Sequence, residues 1–295
     1  MLDYDSLLNV FYLYRPFLLG EDDDDDNNRL VGGKERWDRG HWWYIPAQIC
    51  QRWRSVIFGS ATYLGISLVC TNGTPVASML ANSPPLPLLV DYLVDEDNDI
   101  TTEDEERAIL ALRQYDRVRH IRLRMPVVSL QKLILAMDGE YPTLEYLITG
   151  HTGEYNVTIL IFPETLQAPQ LRHLVLGDFA LPIGFRLLTT AVGLVTLCLY
   201  MESPSSYFHP NTLLHWLSFI PQLETLGIIF FFPVPNRDVE RELKHTPVMT
   251  VTLPNLHFFA FQGVRIYLEA IVHRIATPRL EQLKIELFRD RKSFV

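Results

Sequence analysis

One hydrophobic phrase recurs along the chain: an apolar residue, two variable residues, an apolar residue, one variable residue and a third apolar residue. Its first positions lie between 23 and 33 residues apart. The complete copies are Val118-Ile121-Leu123, Leu171-Leu174-Leu176, Leu194-Leu197-Leu199, Leu223-Leu226-Ile228, Leu256-Phe259-Phe261 and Leu280-Leu283-Ile285. A seventh copy, Leu144-Leu147, has Thr149 at its third apolar position. The last two apolar positions lie two apart, so on a strand they point to one side and predict a buried row.

Apolar residues at helical spacing lie between the phrases and predict helices. One such group is Leu130, Leu133, Ile134 and Met137. Thr102 with Glu105 resembles a capping box that opens a helix through Arg113. A strand and helix repeated in this way cannot bury its apolar face alone, so neighbouring units must stack.

This alternation predicts an α/β fold, specifically a leucine-rich-repeat solenoid, or horseshoe, over residues 63–295. A short α-helical segment over residues 1–62 is expected to precede it. The alternative is a different α/β fold in which the helical stripes are ordinary amphipathic helices. The fixed internal spacing of the strand phrase favours the solenoid.

The first 62 residues contain two helix signals separated by an acidic stretch. Leu7, Leu8 and Phe11 indicate a short amphipathic helix, which Pro16 stops. Residues from about 20 to 40 are polar and include five consecutive aspartates, Asp22 to Asp26. Because these charges repel one another, the sequence predicts a disordered insertion.

These residues carry a family resemblance. Cys50-x-x-Trp53-Arg54 followed by Leu64 resembles the second half of an F-box, and Leu7-Leu8-x-Val10-Phe11 resembles its first helix. Together with the later phrases, the chain is similar to fungal F-box-like proteins with a leucine-rich-repeat tail.

The resemblance implies a substrate receptor of an SCF-type ubiquitin ligase. The F-box would dock on the Skp-type adaptor of the cullin ligase, and the repeats would bind the target protein. The expected adaptor-binding residues are Leu7, Leu8, Phe11, Trp53 and Arg54. The alternative for these side chains is packing of the N-terminal helices. The alternative function is an interaction scaffold with a degenerate F-box and no ligase role.

The variable positions of the phrases predict a target-binding face, because they alternate with the buried residues. Apolar and aromatic side chains occupy several of them, and exposed apolar patches often mark partner sites. The expected target-binding residues are Tyr146, Val175, Tyr200, Ile229 and Phe258. The alternative is that loops or the C-terminal tail cover this face.

Composition narrows the classes of function. Of the 295 residues, 48% are hydrophobic and 21% are charged, as in ordinary folded soluble proteins. The net charge of −9 argues against nucleic-acid binding, which needs clustered cations. The longest apolar stretch is too short for a membrane span, and acids near Met1 disfavour a secretory signal. A cytoplasmic or nuclear location is therefore expected.

The sequence offers no recognisable catalytic motif. The histidine–glutamate zinc motif, the serine elbow and the Walker loop are all missing. Cys50, Cys70 and Cys198 lack metal-ligand spacing. We therefore expect no catalytic residues, no metal and no cofactor, and a chain that is not an enzyme.

Overall fold

A computed structural model describes residues 3–14, 42–94, 100–152, 159–180, 185–233 and 249–288. The acidic insertion expected at about 20–40 lies outside these ranges.

Strands and helices alternate along most of the described chain. The strands are β1 Leu68–Cys70, β2 Leu88–Leu93, β3 Val118–Pro126, β4 Tyr146–Thr152, β5 Leu160–Ile161, β6 His173–Gly177, β7 Phe179–Ala180, β8 Thr196–Met201, β9 Thr225–Phe230, β10 Val251–Thr252, β11 Phe258–Gly263, β12 Ile275–Ala276 and β13 Gln282–Leu287. The α-helices are α1 Tyr4–Tyr14, α2 Tyr44–Ile49, α3 Gln51–Gly59, α4 Ala61–Leu64, α5 Val76–Asn82, α6 Thr102–Leu112, α7 Val127–Leu135, α8 Arg186–Thr190, α9 Pro210–Leu217 and α10 Arg265–Val272. A short 3₁₀ helix covers Pro204–Ser206.

Nine strands form one central sheet in the order β1-β2-β3-β4-β6-β8-β9-β11-β13. Every pair is parallel, and the spatial order follows the chain. Two small parallel pairs, β5–β7 and β10–β12, lie outside this sheet. Within the described residues the strand order never reverses, so the sheet has no switch point of the kind that binds nucleotides in doubly wound folds.

The expected fold class, a leucine-rich-repeat horseshoe preceded by a helical F-box-like segment, is wrong. The structure is an α/β protein built on one large parallel nine-stranded central sheet. The recurring phrase determines strands with one apolar row and connections of similar length. A parallel sheet with helical crossovers needs the same local pattern, so the phrase could not decide the architecture.

At the level of single strands, the phrase predicted the buried rows of β3 to β11 but not that of β13, where Leu283 and Ile285 are 54% and 43% exposed. Leu174, Leu197 and Leu226 are paired neighbours on β6, β8 and β9, and all three are fully buried. The imperfect seventh copy follows the same rule, because Thr149 is paired between Leu123 and Leu176 and is only 2% exposed. One main core contains these rows and the buried sides of the helices.

The helix before β3 begins as local chemistry dictates, one residue earlier than expected. The hydroxyl oxygen of Thr101 accepts a hydrogen bond from the Asp104 amide at 3.1 Å, so Thr101 caps α6 in place of the expected Thr102. On α7, the predicted stripe of Leu130, Leu133 and Ile134 is fully buried.

The N-terminal helices belong to the same main core. Leu7 and Phe11 of α1 are 2% and 1% exposed, and Phe11 lies edge-on to Trp53 with ring centroids 5.1 Å apart. The indole nitrogen of Trp43 donates to the Ser67 carbonyl at 3.1 Å, directly before β1. These contacts connect the helices to the start of the sheet.

Leu197 and Leu226 provide a direct test of the buried rows. Replacing either with Ala should lower the free energy of unfolding by roughly 2–5 kcal/mol, because a large side chain leaves a cavity. Leu135, which is 55% exposed on α7, is the matched control, and its change to Ala should cost less than about 0.5 kcal/mol. Chemical denaturation measures all three. A loss below about 1 kcal/mol at both buried positions would contradict the strand register.

Candidate functional site

The central sheet has a second face, turned away from the main core, which we call the open face. Its residues alternate along each strand with the buried rows. One row, in register from β3 to β11, is His120, Tyr146, His173, Thr196, Thr225 and Phe258. The next row, from β2 to β11, is Asp91, Arg122, Ile148, Val175, Cys198, Gly227 and Ala260.

Three rings lie next to one another across β3, β4 and β6 and form what we call the ring ladder. His120 meets Tyr146 edge to face, and Tyr146 stacks on His173. The centroids of His120 and Tyr146 are 4.3 Å apart, and those of Tyr146 and His173 are 4.2 Å apart. The Nδ1 atom of His173 lies 3.1 Å from the Thr196 hydroxyl, so the ladder continues onto β8. All four side chains are partly exposed, which leaves edges of the rings available to a partner.

A buried ion pair fixes the β2 side of the open face. The guanidinium of Arg122 donates two hydrogen bonds to the Asp91 carboxylate, at 2.7 and 2.6 Å. Both side chains are 8% exposed. Two parallel hydrogen bonds of this kind hold both side chains in a defined orientation.

A small apolar group, which we call the apolar patch, lies in the middle of the open face. Val175 and Cys198 are its buried members, and Ile148, Tyr200 and Phe258 pack against them while remaining partly exposed. Burial raises the pKa of the Cys198 thiol to about 12, so the thiol is protonated at neutral pH. A protonated thiol is a poor nucleophile, so the patch suits binding better than covalent chemistry.

Two glycines interrupt the side chains near the carboxyl end of this face. Gly150 and Gly177 are neighbours on β4 and β6, and Gly177 pairs with Tyr200 of β8. A side chain at Gly150 would meet no atom within 4 Å of its Cβ. The glycines therefore leave a depression between Arg124 of β3, paired with Gly150, and Tyr200.

A cluster of ionisable side chains lies at the carboxyl ends of β4, β6 and β8. The Nε2 atom of His151 is 2.9 Å from a carboxylate oxygen of Asp178 and 3.6 Å from one of Glu202. The other Asp178 oxygen accepts hydrogen bonds from the Glu202 and Ser203 amides and from the Ser206 hydroxyl. Asp178 adopts a left-handed conformation, with φ of 51°, that directs its carboxylate at these groups.

The surroundings of the cluster shift all three pKa values. The hydrogen bond to Asp178 raises the pKa of His151. Burial acts to raise the pKa of Asp178, but its hydrogen bonds, first that with His151, lower it overall. Burial raises the pKa of Glu202. The directions of these pKa shifts favour a protonated His151 beside an ionised Asp178 at pH values between the ordinary values of 3.8 and 6.5.

The same three residues offer a donor set that divalent metals use, one imidazole nitrogen and two carboxylate oxygens within 4.8 Å of one another. Two observations favour an ion pair over a metal site. The His151 Nε2 atom already forms its hydrogen bond with Asp178. The positive charge of Arg124 also acts on both His151 and Glu202 and opposes a second cation.

The structure divides the expected target-binding residues. Val175 is only 5% exposed and belongs to the buried part of the apolar patch, so it offers little surface to a partner. Tyr146 lies in the ring ladder, and Tyr200 pairs with Ile229 on the neighbouring strand. Tyr146, Tyr200, Ile229 and Phe258 are partly exposed. These four share one face, at different depths along their strands.

The expected adaptor-binding residues are mostly packing residues. Leu7 and Phe11 are buried, and Leu8 and Trp53 pack partly against the main core. Arg54 is exposed, and its Nε donates to the Ala47 carbonyl at 3.0 Å. Leu7 and Phe11 therefore stabilise the fold, and little of either side chain is accessible to a partner.

Sequence reasoning missed the exposed apolar side of the N-terminal helices. Its most exposed members are Leu13 and Ile45, each at 70%. Others on the same helices and α4 are Tyr4, Val10, Tyr12, Tyr14, Tyr44, Ile49 and Tyr63. Part of the signal was present, because α1 carries apolar residues such as Tyr12, Leu13 and Tyr14 in addition to the buried Leu7 and Phe11.

The carboxyl-end cluster was also missed. Its residues lie 27 and 24 positions apart, one after each strand phrase. His151 and Asp178 each stand two residues after the last position of their phrase, so an alignment of the copies places them at equivalent positions, whereas Glu202 stands three residues after its phrase.

Comparison with known proteins does not assign the chain to a family. No protein-family model matches it, and no curated protein is significantly similar to it. Among the described helices, none has the length and apolar character needed to cross a membrane.

The His151–Asp178 pair should make stability depend on pH. A raised His pKa stabilises the folded state below the ordinary value of 6.5, and this stabilisation is lost as the pH rises through the folded-state pKa. The lowered Asp178 pKa stabilises above the ordinary value of 3.8 and is lost as the pH falls through its folded-state pKa. The pair therefore contributes most between these two ordinary values.

Replacing His151 with Gln tests this dependence. The unfolding free energy of the wild-type protein should be higher than that of the His151→Gln variant, and this difference should be larger at about pH 6 than at about pH 9. Urea unfolding at the two pH values measures the difference. His257→Gln, at an imidazole that is 46% exposed, is the control for loss of a surface histidine. An advantage of equal size at both pH values would show that His151 acts by packing alone.

Proposed function

We propose that this chain is a protein-binding adaptor whose open face holds a target protein. The observation that carries the proposal is the apolar patch beside the ring ladder. Tyr200 and Phe258 are aromatic, partly exposed and packed against a buried base, as residues that dominate binding energy commonly are. The depression at Gly150 gives a partner side chain a place to insert.

The side chains of this face are suited to recognition. The ring ladder offers flat aromatic surface with imidazole nitrogens, and the Arg122–Asp91 pair holds one border rigid. Rigid aromatic groups lose little entropy on binding. Because the Cys198 thiol is protonated and His151 is bound to Asp178, the chemistry of the complex would come from partner proteins.

A second surface supports a role as a connector. The exposed Leu13 and Ile45 lie on the N-terminal helices. These helices pack on the main core, whereas the apolar patch is a separate cluster on the open face. Large apolar side chains that group together on the surface commonly mark a protein contact, and on these helices Tyr12 lies beside Tyr63, with ring centroids 5.4 Å apart. We propose that this surface docks the chain on a Skp-type adaptor of an SCF-type ubiquitin ligase, so that the chain acts as a substrate receptor.

The second candidate is an interaction scaffold that binds a target without any ligase. The burial of Leu7 and Phe11 favours it, because the residues that match the F-box motif are occupied by packing. The two candidates agree on the open face and differ only at the N-terminal helices.

Target binding is tested by variants of the open face. Tyr200→Ala and Phe258→Ala should each weaken target binding about tenfold or more, because both remove aromatic contact area. Co-precipitation of cross-linked partners, quantified by mass spectrometry, identifies proteins that both variants lose. Thermal melting confirms that each variant is folded.

A matched pair of glycine variants sharpens the same test. Gly150→Phe should fill the depression and block the target without unfolding the chain, because its Cβ has open space. Gly193→Phe is the control, since a Cβ there also meets nothing within 4 Å but lies on the connection before β8. A partner that binds the Gly150→Phe variant as well as it binds the Gly193→Phe variant does not contact the open face. If every partner behaves in this way, this part of the proposal is refuted.

Ligase coupling is tested with a purified Skp-type adaptor. The wild-type chain should bind the adaptor, and the Leu13→Asp and Ile45→Asp variants should each weaken binding at least about tenfold, because a charge at a docked apolar position must be desolvated. Val128→Asp, at a position 71% exposed on α7, is the control. Calorimetry measures the affinities. Failure of the wild-type chain to bind would favour the scaffold without a ligase role.

A further inference from the structure

The last strand of the central sheet carries an apolar row that nothing in the described chain covers. Leu283, Ile285 and Leu287 of β13 are 54%, 43% and 42% exposed. On the neighbouring strand, Phe259 and Phe261 occupy the paired positions and are 5% and 1% exposed. The buried row therefore continues onto β13, but there its side chains are open to solvent.

The backbone of β13 is also open on one side. In the described residues it pairs only with β11. The amides of Gln282 and Phe288 donate to the His257 and Gly263 carbonyls on the β11 side. Because backbone groups of successive strand residues point in opposite directions, Leu283, Ile285 and Leu287 direct their N–H and C=O groups to the free edge. Such an edge is a template for another strand.

The sequence of β13 is complementary to itself about Ile285. If two copies pair antiparallel around a two-fold axis through this residue, Ile285 lies opposite Ile285, and Leu283 lies opposite Leu287. On the other face, Lys284 of each copy lies opposite Glu286 of the second copy. Opposite charges at directly facing positions stabilise a strand pair, and like charges destabilise it.

Other arrangements of the same two strands lose this match. Moving the axis to residue 286 places glutamate opposite glutamate, and moving it to residue 284 places lysine opposite lysine. A slip of one residue in one strand sets the apolar row against the charged face. A closed two-fold pairing requires the same surface on both copies, which β13 provides.

We propose that β13 is a dimerisation edge, at which two copies of this chain pair antiparallel about Ile285 and join their central sheets. The dimer covers Leu283, Ile285 and Leu287 with the same residues of the second copy. It also satisfies the free backbone groups of both edges. The interface lies at the opposite end of the sheet from the N-terminal helices, so it is independent of the proposed adaptor surface.

Charge exchange tests the proposed register. The full-length chain should sediment as a dimer that dissociates on dilution in analytical ultracentrifugation. Lys284→Glu and Glu286→Lys should each weaken dimerisation about tenfold or more, because two facing pairs change from attraction to repulsion. The double variant Lys284→Glu/Glu286→Lys restores opposite charges and should recover dimerisation. Thermal melting establishes that the variants are folded.

Thiol cross-linking gives an independent test of the axis. In a Cys50→Ser background, which removes the exposed native thiol, Ile285→Cys should be captured as a dimer by a short bis-maleimide. Leu283→Cys is the matched control and should stay monomeric, because the two cysteines would lie four residues apart along the strands, about 14 Å.

Three results would overturn the proposal. One is a monomer mass for the wild-type chain at every concentration tested. This result would overturn the proposal even if a different protein were found to bind the β13 edge. Another is a charge-exchanged double variant that stays as weak as the single variants. The third is cross-linking of Leu283→Cys that equals that of Ile285→Cys.

Discussion

The parallel pairing of each strand with the strand that precedes it holds this molecule together. The buried side chains of β9 include Leu226 and Ile228, and both need cover from the strands on either side. Leu197 and Leu199 of β8 lie on one side and Phe259 and Phe261 of β11 on the other, all in register. The register of the backbone hydrogen bonds therefore also aligns the apolar rows, so a shift of the register would disrupt the packing of these side chains.

This constraint also produces the open face. Once one set of alternate residues is committed to the main core, the other set must point away from it. Arg122, Ile148 and Cys198 occupy such positions, and they meet because their strands are in register. The open face is thus a geometric consequence of the core.

The sequence predicted the strands and their buried sides, because both depend on local spacing. The phrase correctly placed Leu197 and Leu226 in the core, whereas Leu283 and Ile285 of the last copy are exposed. It did not predict the architecture, since local spacing does not specify how successive connections pack. The open-face residues were predicted in part. Val175 was expected to be exposed, but Tyr200 and Ile148 from the neighbouring strands pack against it and bury it.

Long-range contacts explain the remaining failures. His151 and Asp178 approach each other only through the pairing of β4 with β6, and neither residue has a distinctive neighbour in sequence. The sequence alone did not show that Leu13 and Ile45 are exposed, because the buried side of the helices is defined by the packing of Leu7 and Phe11. Information of this kind depends on the assembled molecule.

The chain-ordered sheet has a consequence for synthesis of the protein. Each strand of the central sheet after β1 pairs with a strand that the ribosome has already made, so its first partner is present when it emerges. Strand β2 can add to β1, and every later strand extends the existing edge. Folding of this kind proceeds in the direction of translation, with one exposed growing edge at a time.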